Sequence, residues 1–225
     1  MRSVDKGLPP RTYSAYKAAR NDLTDRIGWI CSYCEMPVKN MIEVEHIHPI
    51  NQGGNELDWD NFLLACRYCN GIKKDRNTDR TGYFWPDRDN TTFAFQYSEK
   101  DIIKPNSGLN LSESDAAKET IDLMGLNRTP HSGNVPTDAD SRWIARISAI
   151  GVINESYDDW LLVPSCAFAR QIARTAIGHG FYSFWMLKFV GIPQVINAIN
   201  TAFTGTYFPQ FDSHGNKILR TGGSF

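Results

Sequence analysis

Histidine is scarce in this chain, five in 225 residues, and neither sign of charge is in excess: 24 lysines and arginines stand against 25 aspartates and glutamates. A formal charge of −1 excludes coating of nucleic acid through bulk positive charge, so any anion binding must come from a local patch. No apolar run is long enough to span a bilayer. The most apolar stretch, FYSFWMLKFVG at 181–191, is short and contains Lys188. The opening MRSVDKGLPPRTY lacks the apolar centre of a signal peptide, and no internal repeat is present. The five cysteines are an odd number, and four fall in two C-x-x-C pairs, which without a secretion signal favours metal over disulfides. These absences predict a soluble cytoplasmic protein with no membrane partner. Hydrophobic residues make up 41%, enough for a real core in one large domain or two small ones.

Residues 12–27 place Tyr13, Tyr16, Leu23 and Ile27 on one helical face, and Gly28 ends the run. TTFAFQYSE at 91–99 alternates Phe93, Phe95 and Tyr97, the period of a strand with one buried face. Ser112 to Leu126 reads as a capped helix with Ala117, Ile121 and Met124 inward. Residues 127–141 are rich in Pro, Gly, Ser, Asn and Asp and read as a loop or linker. Helices then follow at Trp143–Ile150, Cys166–Ile177, Phe181–Val190 and Pro193–Phe203, before a polar, loose tail at 212–225. Three segments result: an N-terminal helical segment at 1–28, a Cys-rich core with its following strand at 29–105, and a mainly helical region at 106–225.

CSYC at 31–34 and CRYC at 66–69 are two knuckles 31 residues apart. Each brings two thiolates close together, and the four ligands Cys31, Cys34, Cys66 and Cys69 suit tetrahedral, structural Zn²⁺. Redox dithiols or ordinary core cysteines are the alternatives. The 29–76 block is short of apolar residues and would depend on zinc to fold. Cys166, in an apolar helix, is expected to be a buried free thiol.

Between the knuckles lies EVEHIHPINQGG, which gathers a carboxylate, two histidines and a Gly-Gly turn. Phosphodiester hydrolysis needs a base to deprotonate water and a divalent cation to absorb charge on the phosphate and leaving oxygen. Histidine is the natural base near neutrality, and Glu45 and Asn70 offer oxygens that a hard ion such as Mg²⁺ or Mn²⁺ prefers. Strand alternation starts Glu45 and His46 on opposite faces, so a shared site needs a twist there. His48 shares the face of His46; it supports a ligand, touches phosphate, or is simply half-buried. Across 66–88, Arg67, Lys73, Lys74, Arg76, Arg80 and Arg88 face Asp75, Asp79 and Asp87, a local excess of three positive charges. Arg67, Lys73, Lys74 and Arg76 are thus the candidate nucleic-acid contacts. WPD at 85–87 has no His-Cys-x5-Arg phosphate cradle to accompany it and reads as a turn.

The order C-x-x-C, Glu45-His46, Gly53-Gly54, Asn61 before an apolar strand, Cys66-x-x-Cys69-Asn70 and Lys73 or Lys74 resembles the HNH endonuclease family. That resemblance implies an α+β fold: a treble-clef-like ββα-metal core with a four-cysteine zinc site, here wrapped by N- and C-terminal helices. It implies His46 as general base, Glu45 and Asn70 as ligands of the catalytic metal, and Asn61 as the brace of the hairpin. Two positions depart from the pattern: Asn70 stands where a final His is usual, and Glu45 where Asp is common. Over residues 1–128 the chain is similar to one branch, the nuclease subunits of Septu-type antiphage defence systems, some found beside retrons. This implies cleavage of DNA to 5′-phosphate and 3′-hydroxyl ends beside an ATPase partner. This sequence has no G-x-x-x-x-G-K-[ST] loop, so ATP dependence would belong to another subunit. The aromatic helix Phe181–Phe189 offers a docking face for it or simple core packing. Rival readings are a catalytically silent zinc module that binds nucleic acid or a partner, and a stand-alone restriction-like or homing nuclease.

Overall fold

The computed structural model describes residues 1–98, 102–209, 214 and 218–223. Among these residues lie helices α1 (Arg20–Ile27), α2 (Arg67–Lys73), α3 (Thr91–Ala94), α4 (Leu111–Met124), α5 (Arg142–Leu162), α6 (Cys166–His179), α7 (Tyr182–Lys188) and α8 (Pro193–Ala202). The strands are β1 (Glu43–His46), β2 (Phe62–Ala65), β3 (Phe95–Tyr97) and β4 (Ile103–Pro105). β1 pairs antiparallel with β2, His46 opposite Phe62 and Glu43 opposite Ala65, and β3 pairs with β4. The unit β1–β2–α2 is the expected ββα core. All four residues of β2 are buried, and that apolar strand is its floor.

Two hydrophobic clusters divide the chain. The first joins α1, the cysteine knuckles, β1, β2, Trp85, Phe95 and the inner face of α4. The second consists of α5–α8 with Ile30, while Met36 and Tyr97 pack against both. α4 therefore belongs with the nuclease-like core, and the divide falls in the 127–141 loop rather than at residue 105. Ala117, Ile121 and Met124 face inward as the periodicity requires. The cap of α4 is Asn110, two residues before the expected start: its side chain accepts from Glu113 N while Glu113 accepts from Asn110 N.

Three other expectations change. The 91–97 strand begins only at Phe95, because Thr91–Ala94 turn once as a helix beneath it; Glu99 lies outside the described residues. The helix expected over 12–27 is a 3₁₀ turn at Tyr16–Ala19 followed by the shorter α1. Cys166 is exposed, not buried, because it occupies the first position of α6 next to the Ser165 cap. Much of the 212–225 tail lies outside the described residues. Within 218–223, Arg220 donates to Val4 O at 2.7 Å and Pro86 O at 2.9 Å, so that stretch is docked. Phe181, Tyr182, Phe184, Trp185 and Phe189 are buried in the second cluster, which makes the aromatic helix core rather than docking surface. No helix among the described residues is long and apolar enough to cross a membrane.

Candidate active site and metal centre

Cys31, Cys34, Cys66 and Cys69 are buried, and their sulfurs all lie within 4.8 Å of one another. The second knuckle is set by helix geometry: Cys66 is the cap of α2, and Cys69 N donates to its sulfur at 3.4 Å. The first is a tight turn in which Glu35 N donates to Cys31 O at 3.0 Å and Cys31 N to Met36 O at 3.0 Å. Hydrogen bonds with Cys31, Cys66 and Cys69 hold the Cys34 thiol well above its usual range, and burial does so for Cys69. Cys31 falls well below that range despite burial, because the other three cysteines hydrogen-bond to it. Four soft donors converging in a dry pocket are positioned to hold a metal ion, and the donor set suits zinc.

His46 ends β1 with its ring edge-on to Tyr16 and Phe62, centroids 4.8 and 5.3 Å away. Its Nε2 lies 3.0 Å from Glu56 O. A carbonyl only accepts, so Nε2 carries the proton and Nδ1 holds the lone pair. The loop presenting Glu56 is held by Asn61: its Oδ1 accepts from His48 N at 2.7 Å, and its Nδ2 donates to His48 O and Asn55 O at 2.9 and 3.0 Å. Gly54 allows this closure, since a Cβ there would sit 2.0 Å from His48 O. His48 itself donates from Nε2 to Gln52 O at 2.9 Å and serves that loop.

The oxygen donors are arranged differently from expectation. Glu45 is 2% exposed; Tyr33 Oη donates to its Oε2 and Lys73 Nζ meets its Oε1. Burial, then the Glu45 charge, pushes the Tyr33 phenol well up, so it stays a donor. Asn70 does not meet Glu45. Its Nδ2 donates to Glu43 Oε2 at 2.7 Å, and Glu43 is the acid that sequence reasoning passed over. Alternation carried the signal, because Glu43 and Glu45 are two apart on one strand and both meet α2.

Glu45, His46, Asn70, Lys74 and Tyr16 help line a hollow of about 420 Å³. An adjoining hollow of about 360 Å³ has Glu43, Asn70, Lys17 and Arg20 in its wall. Lys73 is 1% exposed and also donates to His46 O at 2.7 Å, so it is an internal brace and not a phosphate contact. Arg80 is held by Asp87 at 2.9 Å. Arg67, Lys74, Arg76 and Arg88 remain exposed from the expected patch. Arg76 donates to Asp122 O at 3.0 Å, at the end of α4. Lys17 and Arg20, exposed and outside the Cys-rich block, complete the cationic rim.

A ββα unit whose helix carries the second cysteine knuckle, with a histidine at the end of its first strand, agrees with the family comparison: residues 31–76 match the HNH endonuclease family model. The chain is also 27% identical over 129 residues to a protein of Vibrio cholerae serotype O1 biovar El Tor named "Retron Vc95 putative HNH endonuclease". The match takes in 51% of this chain and 60% of that relative, so the chain spans less than two thirds of the relative's length.

Proposed function

We propose that the protein is a metal-dependent endonuclease that hydrolyses DNA phosphodiester bonds, and the observation that carries this reading is the 3.0 Å contact of His46 Nε2 with Glu56 O. With Nε2 committed to Glu56 O, Nδ1 is free to take a proton from the attacking water. Asn61 serves as a positioning residue, because it holds the loop to which His46 is bonded. A bound Mg²⁺ or Mn²⁺ would supply Lewis-acid relief of charge on the phosphate and leaving oxygen. Glu43 and Asn70 would hold it through oxygen, the donor chemistry such ions prefer. Glu45, expected in that role, is assigned instead to pairing with Lys73 beneath the site: Tyr33 donates to one of its oxygens, and the other, which has no hydrogen bond, lies against the Lys73 ammonium. Lys17, Arg20 and Lys74 would take the DNA backbone along the rim, with Arg67 and Arg76 farther out. Water attack opposite the 3′ oxygen leaves a 5′-phosphate and a 3′-hydroxyl.

Zn²⁺ is the ion we assign to the four cysteines, as a structural centre. The resemblance to defence nucleases, together with the retron in the relative's name, supports an antiphage setting, and an ATPase subunit is proposed from the resemblance alone. Nicking of supercoiled plasmid by purified protein in Mg²⁺ or Mn²⁺ tests the activity. The reading expects nicking by wild type and its loss in His46→Ala. Equal nicking by both would remove the site from the chemistry. A protein that binds DNA and never cuts it, with or without a co-purified ATPase, would be the silent binding module.

A further inference from the structure

The inner stripe of α5 is Arg142, Arg146, Ala149, Ile153 and Trp160: its last three members are core, and its first two are arginines with 3% and 2% of their surface exposed. Burying a guanidinium is costly unless negative charge lies close by. Arg142 Nη1 donates to Cys69 Sγ at 3.1 Å and to Met124 O at 3.0 Å, and its Nη2 donates to Gly125 O at 3.1 Å. Asp140 grips the same guanidinium with two bonds of 2.8 Å. One side chain thus ties a cage sulfur, the end of α4 and the start of α5 together.

Arg146 lies one helical turn farther on, and the groups that favour its charge are Cys34 and Cys69, then Glu35. Glu35 also faces the Met1 amine at 3.3 Å and accepts two bonds from Ser183. Burial nevertheless takes Arg146 down to about 10, against the pull of those charges.

We propose that Arg142 and Arg146 are part of the metal centre, cations that offset a four-thiolate zinc site, so that zinc occupancy and docking of the α5–α8 region are one coupled event. This rests on the zinc reading. Four thiolates around Zn²⁺ leave a net charge of −2, which attracts both guanidinium groups through a dry interface. Four protonated thiols would offer none of that attraction, and Arg142 would then rest its charge on Asp140. The helical region is therefore held to the nuclease domain by its apolar cluster and by the charge of the metal site. Nothing in the C-x-x-C pattern signals this; the visible clue is arginine at two inward positions of a helix stripe that is otherwise apolar.

The test uses the full chain purified with its zinc, measured for metal content and then challenged with a colorimetric chelator. Arg146→Met, which removes charge and keeps volume, is expected to lose zinc on the order of tenfold faster, with no loss of thermal stability in the zinc-stripped form. Arg142→Gln is expected to release zinc faster as well. Should that variant fail to fold, because Arg142 also caps α4, the Arg146 variant decides alone. Hydrogen exchange of the wild type is the second readout: zinc removal should expose amides across 142–153 together with those of the knuckles. Wild-type zinc retention in Arg146→Met, or full protection of α5 after stripping, would overturn the coupling while leaving the zinc reading intact. A wild-type protein that neither contains nor binds zinc would overturn both.

Discussion

Glu43 and Glu45 meet the same helix from one strand face: Glu43 bonds Asn70 at the rim of a hollow, whereas Glu45 is sealed between Tyr33 and Lys73. Their substitution should separate binding from folding. Glu43→Gln is expected to weaken Mn²⁺ binding by about tenfold or more, a loss of about 1.4 kcal/mol, without a change in melting temperature. Glu45→Gln should retain Mn²⁺ affinity and lose stability, since breaking a buried ion pair costs about 3–5 kcal/mol. Mn²⁺ titration followed by electron paramagnetic resonance, beside thermal unfolding, distinguishes them. A folded Glu45→Gln protein blind to Mn²⁺ would return the ligand role to Glu45. Single positions were unevenly legible. His46 and the four cysteines stood out because their spacing is covalent. Lys73, three residues after Asn70, looked like a surface cation, and only packing against β1 reveals its burial.

The element that adds most to the site beyond the HNH domain is the 3₁₀ turn and α1, which carry Lys17 and Arg20 to the hollow beside Glu43 and Asn70. Replacing both with alanine is expected to lower the salt slope of log K for duplex DNA by about one for each phosphate that is no longer neutralised. Binding by a His46→Ala background, measured by fluorescence anisotropy across salt, keeps cleavage out of the comparison. An unchanged slope would move the DNA track elsewhere. At this scale the sequence was readable where the apolar period is clear, as in α4, α6 and α8. It misled at Thr91–Ala94, where β-branched and aromatic residues suggest a strand and the chain makes one helical turn before pairing with β4. Tertiary position overrides propensity there. The rejection of WPD as a catalytic loop agrees with a buried Trp85 and an Asp87 engaged by Lys6 and Arg80.

Across the whole molecule, segments distant in sequence are joined by buried charge. Lys6 and Arg80 lie 3.0 and 2.9 Å from Asp87, and with burial opposing them they hold its carboxyl down at about 2. A carboxylate whose folded pKa is depressed contributes stability that is complete above its unfolded value, 3.8, and is lost as pH falls toward 2. The contribution is about 2.5 kcal/mol, a noticeable part of a typical total of about 5–15 kcal/mol. Acid unfolding should therefore steepen between about pH 4 and pH 2, and Asp87→Asn should flatten that window while lowering stability at pH 7. Denaturant titrations at several pH values check it, and a wild-type slope retained in Asp87→Asn would place the acid sensitivity elsewhere. The contact of α5 with the cysteine cage through Arg142 belongs to this scale too, and its one trace in the sequence is arginine at inward positions of that helix.

The central claim is that His46 Nδ1 takes the proton in DNA hydrolysis, and its most direct test is chemical rescue. Single-turnover plasmid nicking in Mg²⁺ should fall by roughly 10²–10⁴ in His46→Gly, and added imidazole should restore part of the rate. Nicking by His46→Gly at the wild-type rate, indifferent to imidazole, would contradict the account.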